Sequence, residues 1–114
     1  MKRYSANNES KKYLEREGWT VAVVEKTLGG CFIKKDAFRF GDLLAMSPSR
    51  GIMLVQSTGG GHLRDRLAKL KAEPMHAIWL ASGGRIQVHD WRKTAGRSQR
   101  VLHICEVAKP TAAA

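Results

Sequence analysis

Apolar residues recur along this chain with two different periods, and each change of period marks a boundary between elements. Ser5, Asn7 and Asn8 are helix-capping residues, Ser10, Tyr13 and Leu14 fall on one side of the stretch that follows, and Gly18 suits the left-handed position after a helix. A first helix is therefore predicted from about Ala6 to Glu17. Thr20 to Val24 is β-branched and apolar, which predicts a short buried strand broken at Leu28-Gly29-Gly30. Phe38 to Met46 and Gly51 to Ser57 read as a hairpin joined by the turn residues Ser47-Pro48-Ser49-Arg50. Leu63, Leu67 and Leu70 recur at i, i+4, i+7 and predict a second helix from about His62 to Ala72, closed by Pro74. Ala77 to Ala81 and Arg85 to Trp91 look strand-like on either side of Ser82-Gly83-Gly84, and Val101 to Val107 makes a last strand. The order predicts an α/β fold: a mixed sheet flanked by helices, over one domain at 1–109 with a frayed tail at 110–114. A doubly wound nucleotide fold needs repeated βαβ units, and this pattern holds one crossover.

Composition adds a partner and a compartment. At 114 residues and 43% apolar content the chain can bury one core without covalent staples. Twenty Lys and Arg against ten Asp and Glu give a net charge of +10, so a polyanion is the expected partner. Between Arg85 and Arg100 the bases Arg85, Arg92, Lys93, Arg97 and Arg100 face one acid, Asp90, with Trp91 among them as a surface on which a base can stack. Cys31 and Cys105 lack zinc-site or disulfide spacing and read as reduced core thiols, which points to the cytoplasm. No apolar run approaches the ~20 residues that span a bilayer, so no membrane is expected.

One acid stands out. Asp42 lies between Phe40 and Leu43-Leu44, and an ionised carboxylate in an apolar strand is costly unless it is paired or binds a cation. Two environments fit it: a cation-binding position inside the sheet, or a turn cap or solvent-facing strand edge. Gln56 ends the third strand across the hairpin and offers another hard oxygen, and Thr58 follows on the same strand face.

Glu9, Leu14, Gly18-Trp19, Gly41-Asp42-Leu43-Leu44-Ala45 and Ile52-Met53-Leu54-Val55-Gln56-Ser57-Thr58 together resemble the PD-(D/E)xK nucleases, and among them the small Holliday-junction resolvases of archaeal and phage type. The resemblance runs from about Ser5 to Leu80 and implies a restriction-endonuclease-like core of helix, three-stranded meander, helix and strand, here with extra C-terminal strands. It implies Mg²⁺ or Mn²⁺ held by Glu9, Asp42 and Gln56, with Gln56 where the family has its second acid. Thr58 takes the position of the family's lysine, and Gly41 that of its nominal proline. The activity implied is hydrolysis of DNA phosphodiesters, at branched DNA in the resolvases, by a homodimer that cuts two strands symmetrically. Such compact nucleases come from phages and mobile elements.

The missing lysine leaves a charge to be found. His62, Arg66 and Lys69 share one helix face, which reads as a solvated basic face, as a phosphate clamp, or as the source of the displaced charge from Lys69 or Arg66. Gly59-Gly60-Gly61 lacks the GxxxxGK[ST] pattern and reads as a turn that lets a DNA backbone approach. Lys34, Lys35, Arg92 and Lys93 are further expected nucleic-acid contacts, with Asp36 and Glu25 as reserve acids. His76, His89 and His103 have no ligand spacing and read as structural, and Trp19 and Trp79 as core. Gln56 and Thr58 also fit a catalytically weakened relative that binds nucleic acid as an accessory protein, and the charge alone fits a basic RNA-binding or structural protein.

Overall fold

In the computed structural model, residues 5–24, 26–28, 33–35, 37–38, 40–94, 96 and 99–108 are described, with 26–28 and 33–35 described as backbone only. Glu25, Cys31, Asp36, Arg97, the tail at 110–114 and the side chains of Lys34 and Lys35 lie outside the described residues.

The first helix, α1 (Ala6–Arg16), starts where Ser5 Oγ accepts the Asn8 N–H at 3.2 Å and ends before Gly18 at φ +92°. After β1 (Thr20–Val23) comes a short antiparallel ribbon of β2 (Lys26–Leu28) and β3 (Ile33–Lys35), in the stretch read from sequence as a break. The chain continues through β4 (Leu43–Ser47), β5 (Gly51–Gly59), α2 (Leu63–Ala72), α3 (Pro74–Ala81), β6 (Arg85–Arg92) and β7 (Val101–Glu106). The five-stranded sheet runs β1-β4-β5-β6-β7, antiparallel except where β5 and β6 lie parallel across the helical crossover.

Two predicted strands are corrected. Ala77 to Ala81 belongs to α3: Pro74 sits in the first helical turn, where its missing N–H costs nothing, and Glu73 caps the Met75 N–H. A five-residue apolar run has no period of its own, so its cap decides its conformation. Pro74 therefore ends one helix and starts another, and Ser82-Gly83-Gly84 turns from helix to strand. The strand expected from Phe38 begins at Leu43, because Ala37 and Gly41 close on each other, the Ala37 N–H donating to Gly41 O at 2.8 Å, with Phe38 at φ +51°.

Period-two alternation gives the sheet two apolar faces. Leu43, Ala45, Met53 and Val55 pack under Leu14 of α1 and Trp19. Leu54, Ile86 and Val88 pack under Leu70 of α2 and Leu80 of α3, with Leu63, Leu67 and Trp79 at the margin. Trp19 and Trp79 thus join the two cores as expected, but Cys105 is half-buried on the edge strand β7 rather than a core thiol. Among the described residues no helix is long and apolar enough to cross a membrane.

Candidate functional site

Asp42 stands where β4 and β5 part. The ladder pairs Leu43 with Val55, but one residue earlier Gly41 turns away to pair with Ala37. A Cβ on Gly41 would stand 2.7 Å from Leu54 Cδ2, so any larger residue here would have to displace the Leu54 side chain. The Ser57 N–H, which the ladder would hand to Gly41, donates instead to Asp42 Oδ2 at 3.1 Å. Asp42 donates its own N–H to Val55 O at 2.9 Å and accepts from the Val24 N–H at 3.0 Å. Its residue is 7% exposed, so the carboxylate is buried at a strand junction and does not face solvent.

Gln56 and Thr58 share a face of β5 with Leu54, toward α2, and both are buried. The side-chain oxygen Oε1 of Gln56 is buried with no hydrogen-bond partner among the described residues. Leaving such a carbonyl unpaired costs about 1–3 kcal/mol, so the position calls for a donor or a cation. Parallel register sets Thr58 beside Asp90 of β6, which is 0% exposed. Asp90 Oδ1 accepts the Gly61 N–H at 3.2 Å, and Oδ2 accepts from Arg92 Nε at 2.8 Å. Asp42, Gln56, Thr58 and Asp90 therefore continue, as a polar row across three strands, an apolar face made of Leu44, Leu54, Ile86 and Val88. Asp90 was hidden in the basic stretch, although its alternation with Ile86 and Val88 is the same signal that exposed Asp42.

Opposite this row, α1 meets the sheet through Ser10, which is fully buried. Its hydroxyl accepts from Ser57 Oγ and from Trp91 Nε1, each at 2.9 Å, and lies 2.9 Å from His89 Nδ1. The direction of that last bond follows from the far end of a chain of contacts. Arg85 grips Glu106 at 2.8 and 2.9 Å and holds its carboxyl below the usual range. Glu106 takes the Gln87 amide N–H at 2.9 Å, which leaves Gln87 Oε1 to accept from His89 Nε2 at 2.9 Å. His89 Nδ1 is then an acceptor, and Ser10 donates to it with both of its lone pairs already in use. His89 is structural, as its spacing implied, and Trp91 is buried, so its ring is not a stacking platform.

Burial pushes His89 down to about 4 from an ordinary 6.5, so the folded protein holds it neutral. The unfolded chain binds the extra proton between those values, and stability falls as pH falls. Folding free energy is expected to be level above about pH 6.5 and to lose on the order of 3 kcal/mol on acidification toward pH 4. Urea denaturation between pH 7 and 5, above most carboxylate titration, reads this loss, and a level profile there would contradict a neutral buried His89.

The structure places the remaining sequence-derived candidates as follows. Glu9 is half-buried beside Ser10, with its carboxylate 3.9 Å from Lys12 Nζ. The chain Ser10–Ser57–Asp42 ties the α1 residue next to Glu9 to the β4 acid. Among the described residues no three His, Cys, Asp or Glu cluster closely enough to hold a metal. Leu63, Leu67 and Leu70 turn inward, which leaves His62 and Lys69 exposed and Arg66 half-buried on the flank of α2. Arg92 keeps 41% of its side chain exposed, and Lys93 is exposed. No known family model matches the chain, and no curated protein or solved structure matches it.

Proposed function

We propose that this protein is a metal-dependent endonuclease of the PD-(D/E)xK type that hydrolyses DNA phosphodiester bonds. The observation that carries this reading is the pairing of Asp42, buried where two strands part, with the orphaned buried oxygen of Gln56 on the adjacent strand. Both are hard donors, and Mg²⁺ and Mn²⁺ take such oxygens while keeping waters and a phosphate oxygen. The topology supports the reading: α1, the antiparallel β1-β4-β5 unit, the α2–α3 crossover and parallel β6 follow a restriction-endonuclease-like core, to which β7 adds an edge.

In this reading Asp42 and Gln56 would hold the cation, while Glu9 belongs to α1 on the other side of the sheet from that row. A divalent cation there supplies Lewis acidity, lowering the pKa of a bound water and offsetting charge on the leaving oxygen. Ser57 fixes the Asp42 carboxylate through its N–H, and Ser10 fixes Ser57. The net charge of +10 gathers the DNA backbone, with His62, Arg66, Lys69 and Lys93 among its contacts. Symmetric cutting of a branched substrate calls for a homodimer. Incubation with branched, duplex and single-stranded DNA in Mg²⁺ or Mn²⁺ is expected to give cleavage that stops in chelator.

Thr58, which brings no charge to the lysine position, favours a second reading: a weakened relative that binds DNA as an accessory protein. Tight, salt-dependent binding without cleavage in any metal would select it over the first.

A further inference from the structure

If the site handles a phosphodiester, something must supply the positive charge that Thr58 does not. Asp90 and Arg92 are built for that task. Asp90 is fully buried, and a buried carboxylate is tolerated when it is paired and hydrogen-bonded. Its pairing uses Nε of Arg92 at 2.8 Å, one of five guanidinium N–H donors, while the side chain stays 41% exposed. The other carboxylate oxygen holds the Gly61 N–H, so one acid fixes both the guanidinium and the loop that leads into α2. That loop enters a ten-residue helix whose N-cap, His62, makes no side-chain capping bond and whose first turn carries the acid Asp65. The row of side chains leads from these groups through Thr58 to the orphaned Gln56 oxygen.

We infer that Arg92, oriented by Asp90, is the phosphate-facing cation of this site and stands in for the charge missing at Thr58. This rests on the nuclease reading for its catalytic part, but contact with a phosphate can be read without turnover. Arg92 would touch the phosphate, and Asp90 is a positioning residue. A replacement of Asp90 separates positioning from bulk electrostatics by sign. Asp90→Asn removes a negative charge, so if Asp90 does not position Arg92 the variant binds DNA more tightly. If it does, the freed guanidinium loses its orientation and binding weakens. Asparagine still offers an oxygen to the Gly61 N–H.

The experiment measures duplex DNA affinity against NaCl in chelator for wild type, Arg92→Gln, Asp90→Asn and the double variant, with kcat measured separately in Mn²⁺. Arg92→Gln is expected to lower the slope of log K on log salt by about one and kcat by roughly a hundredfold. Asp90→Asn is expected to weaken binding in the same direction, with the double variant no worse than Arg92→Gln, because the two act as one unit. Arg92→Lys is expected to restore the salt slope but only part of kcat, since it keeps the charge without the fork. Tighter binding by Asp90→Asn, additive effects, or an unchanged salt slope in Arg92→Gln would overturn the assignment. If Asp90→Asn does not fold, the Arg92→Gln and Arg92→Lys pair decides the phosphate contact. A wild type that cuts no DNA in either metal removes the nuclease reading, while the salt slopes still decide Arg92.

Discussion

Asp42→Asn is expected to leave the fold in place and to lower DNA cleavage by about a thousandfold or more. The asparagine side chain keeps an oxygen for the Ser57 N–H, so the contact that closes the end of the β4–β5 ladder at 3.1 Å survives in neutral form. At this contact the structural loss is the difference between a charge-assisted and an ordinary hydrogen bond, about 1 kcal/mol. What disappears is the anionic ligand. A metal contributes several kilocalories per mole of transition-state stabilisation, and roughly 4 kcal/mol corresponds to a thousandfold in rate. Asp42→Ala is the less informative variant, because it also orphans the Ser57 N–H and mixes stability with chemistry. Steady-state cleavage and urea unfolding on the same Asp42→Asn sample separate the two effects. Cutting at the wild-type rate by this variant would remove Asp42 from the site.

Ser10→Ala is expected to cost about 3 kcal/mol of stability, far beyond the usual effect of deleting one hydroxyl from a helix. Three groups lose their partner together: the buried Trp91 Nε1 and His89 Nδ1 and the half-buried Ser57 Oγ, each 2.9 Å from Ser10 Oγ. Each unsatisfied group carries about 1–3 kcal/mol of desolvation cost, and relaxation recovers part of the sum. The alanine also loosens Ser57, whose N–H holds Asp42, so Asp42 loses part of its support. A drop in the urea midpoint with an unchanged m-value is the expected signature. A loss below about 1 kcal/mol would mean that the network bears little load.

These two residues differ in how readily the sequence discloses them. Asp42 was legible because an acid interrupts an apolar strand, and the electrostatic cost of that placement can be stated without coordinates. Ser10 was legible only as a small residue on the inner side of a helix. Its partners His89 and Trp91 lie 79 and 81 residues away, beyond any periodicity. Asp90 falls between them. Its alternation with Ile86 and Val88 was visible, but five bases around it made solvation the simpler expectation. Trp91, among those same bases, is buried, because its indole N–H finds Ser10 beneath the sheet.

For the elements the division is similar. The i, i+4, i+7 leucines of α2, the capped start of α1 and the alternation in β5 and β6 were enough to place them, since each period is a property of local backbone geometry. The run at Ala77–Ala81 carried no period, and only the cap at Glu73 and the packing of Trp79 and Leu80 on the sheet made it a helix. Strand order, the parallel union of β5 with β6 and the divergence at Gly41 depend on which apolar faces find each other, information spread over the whole chain. By itself the sequence determined an α/β fold, a basic surface and one acid with a reason to be buried. Only the tertiary structure decided that the Gln56 oxygen lacks a partner among the described residues and that Asp90, beside Thr58, is buried and paired with Arg92, because the sheet aligns residues that no local pattern relates.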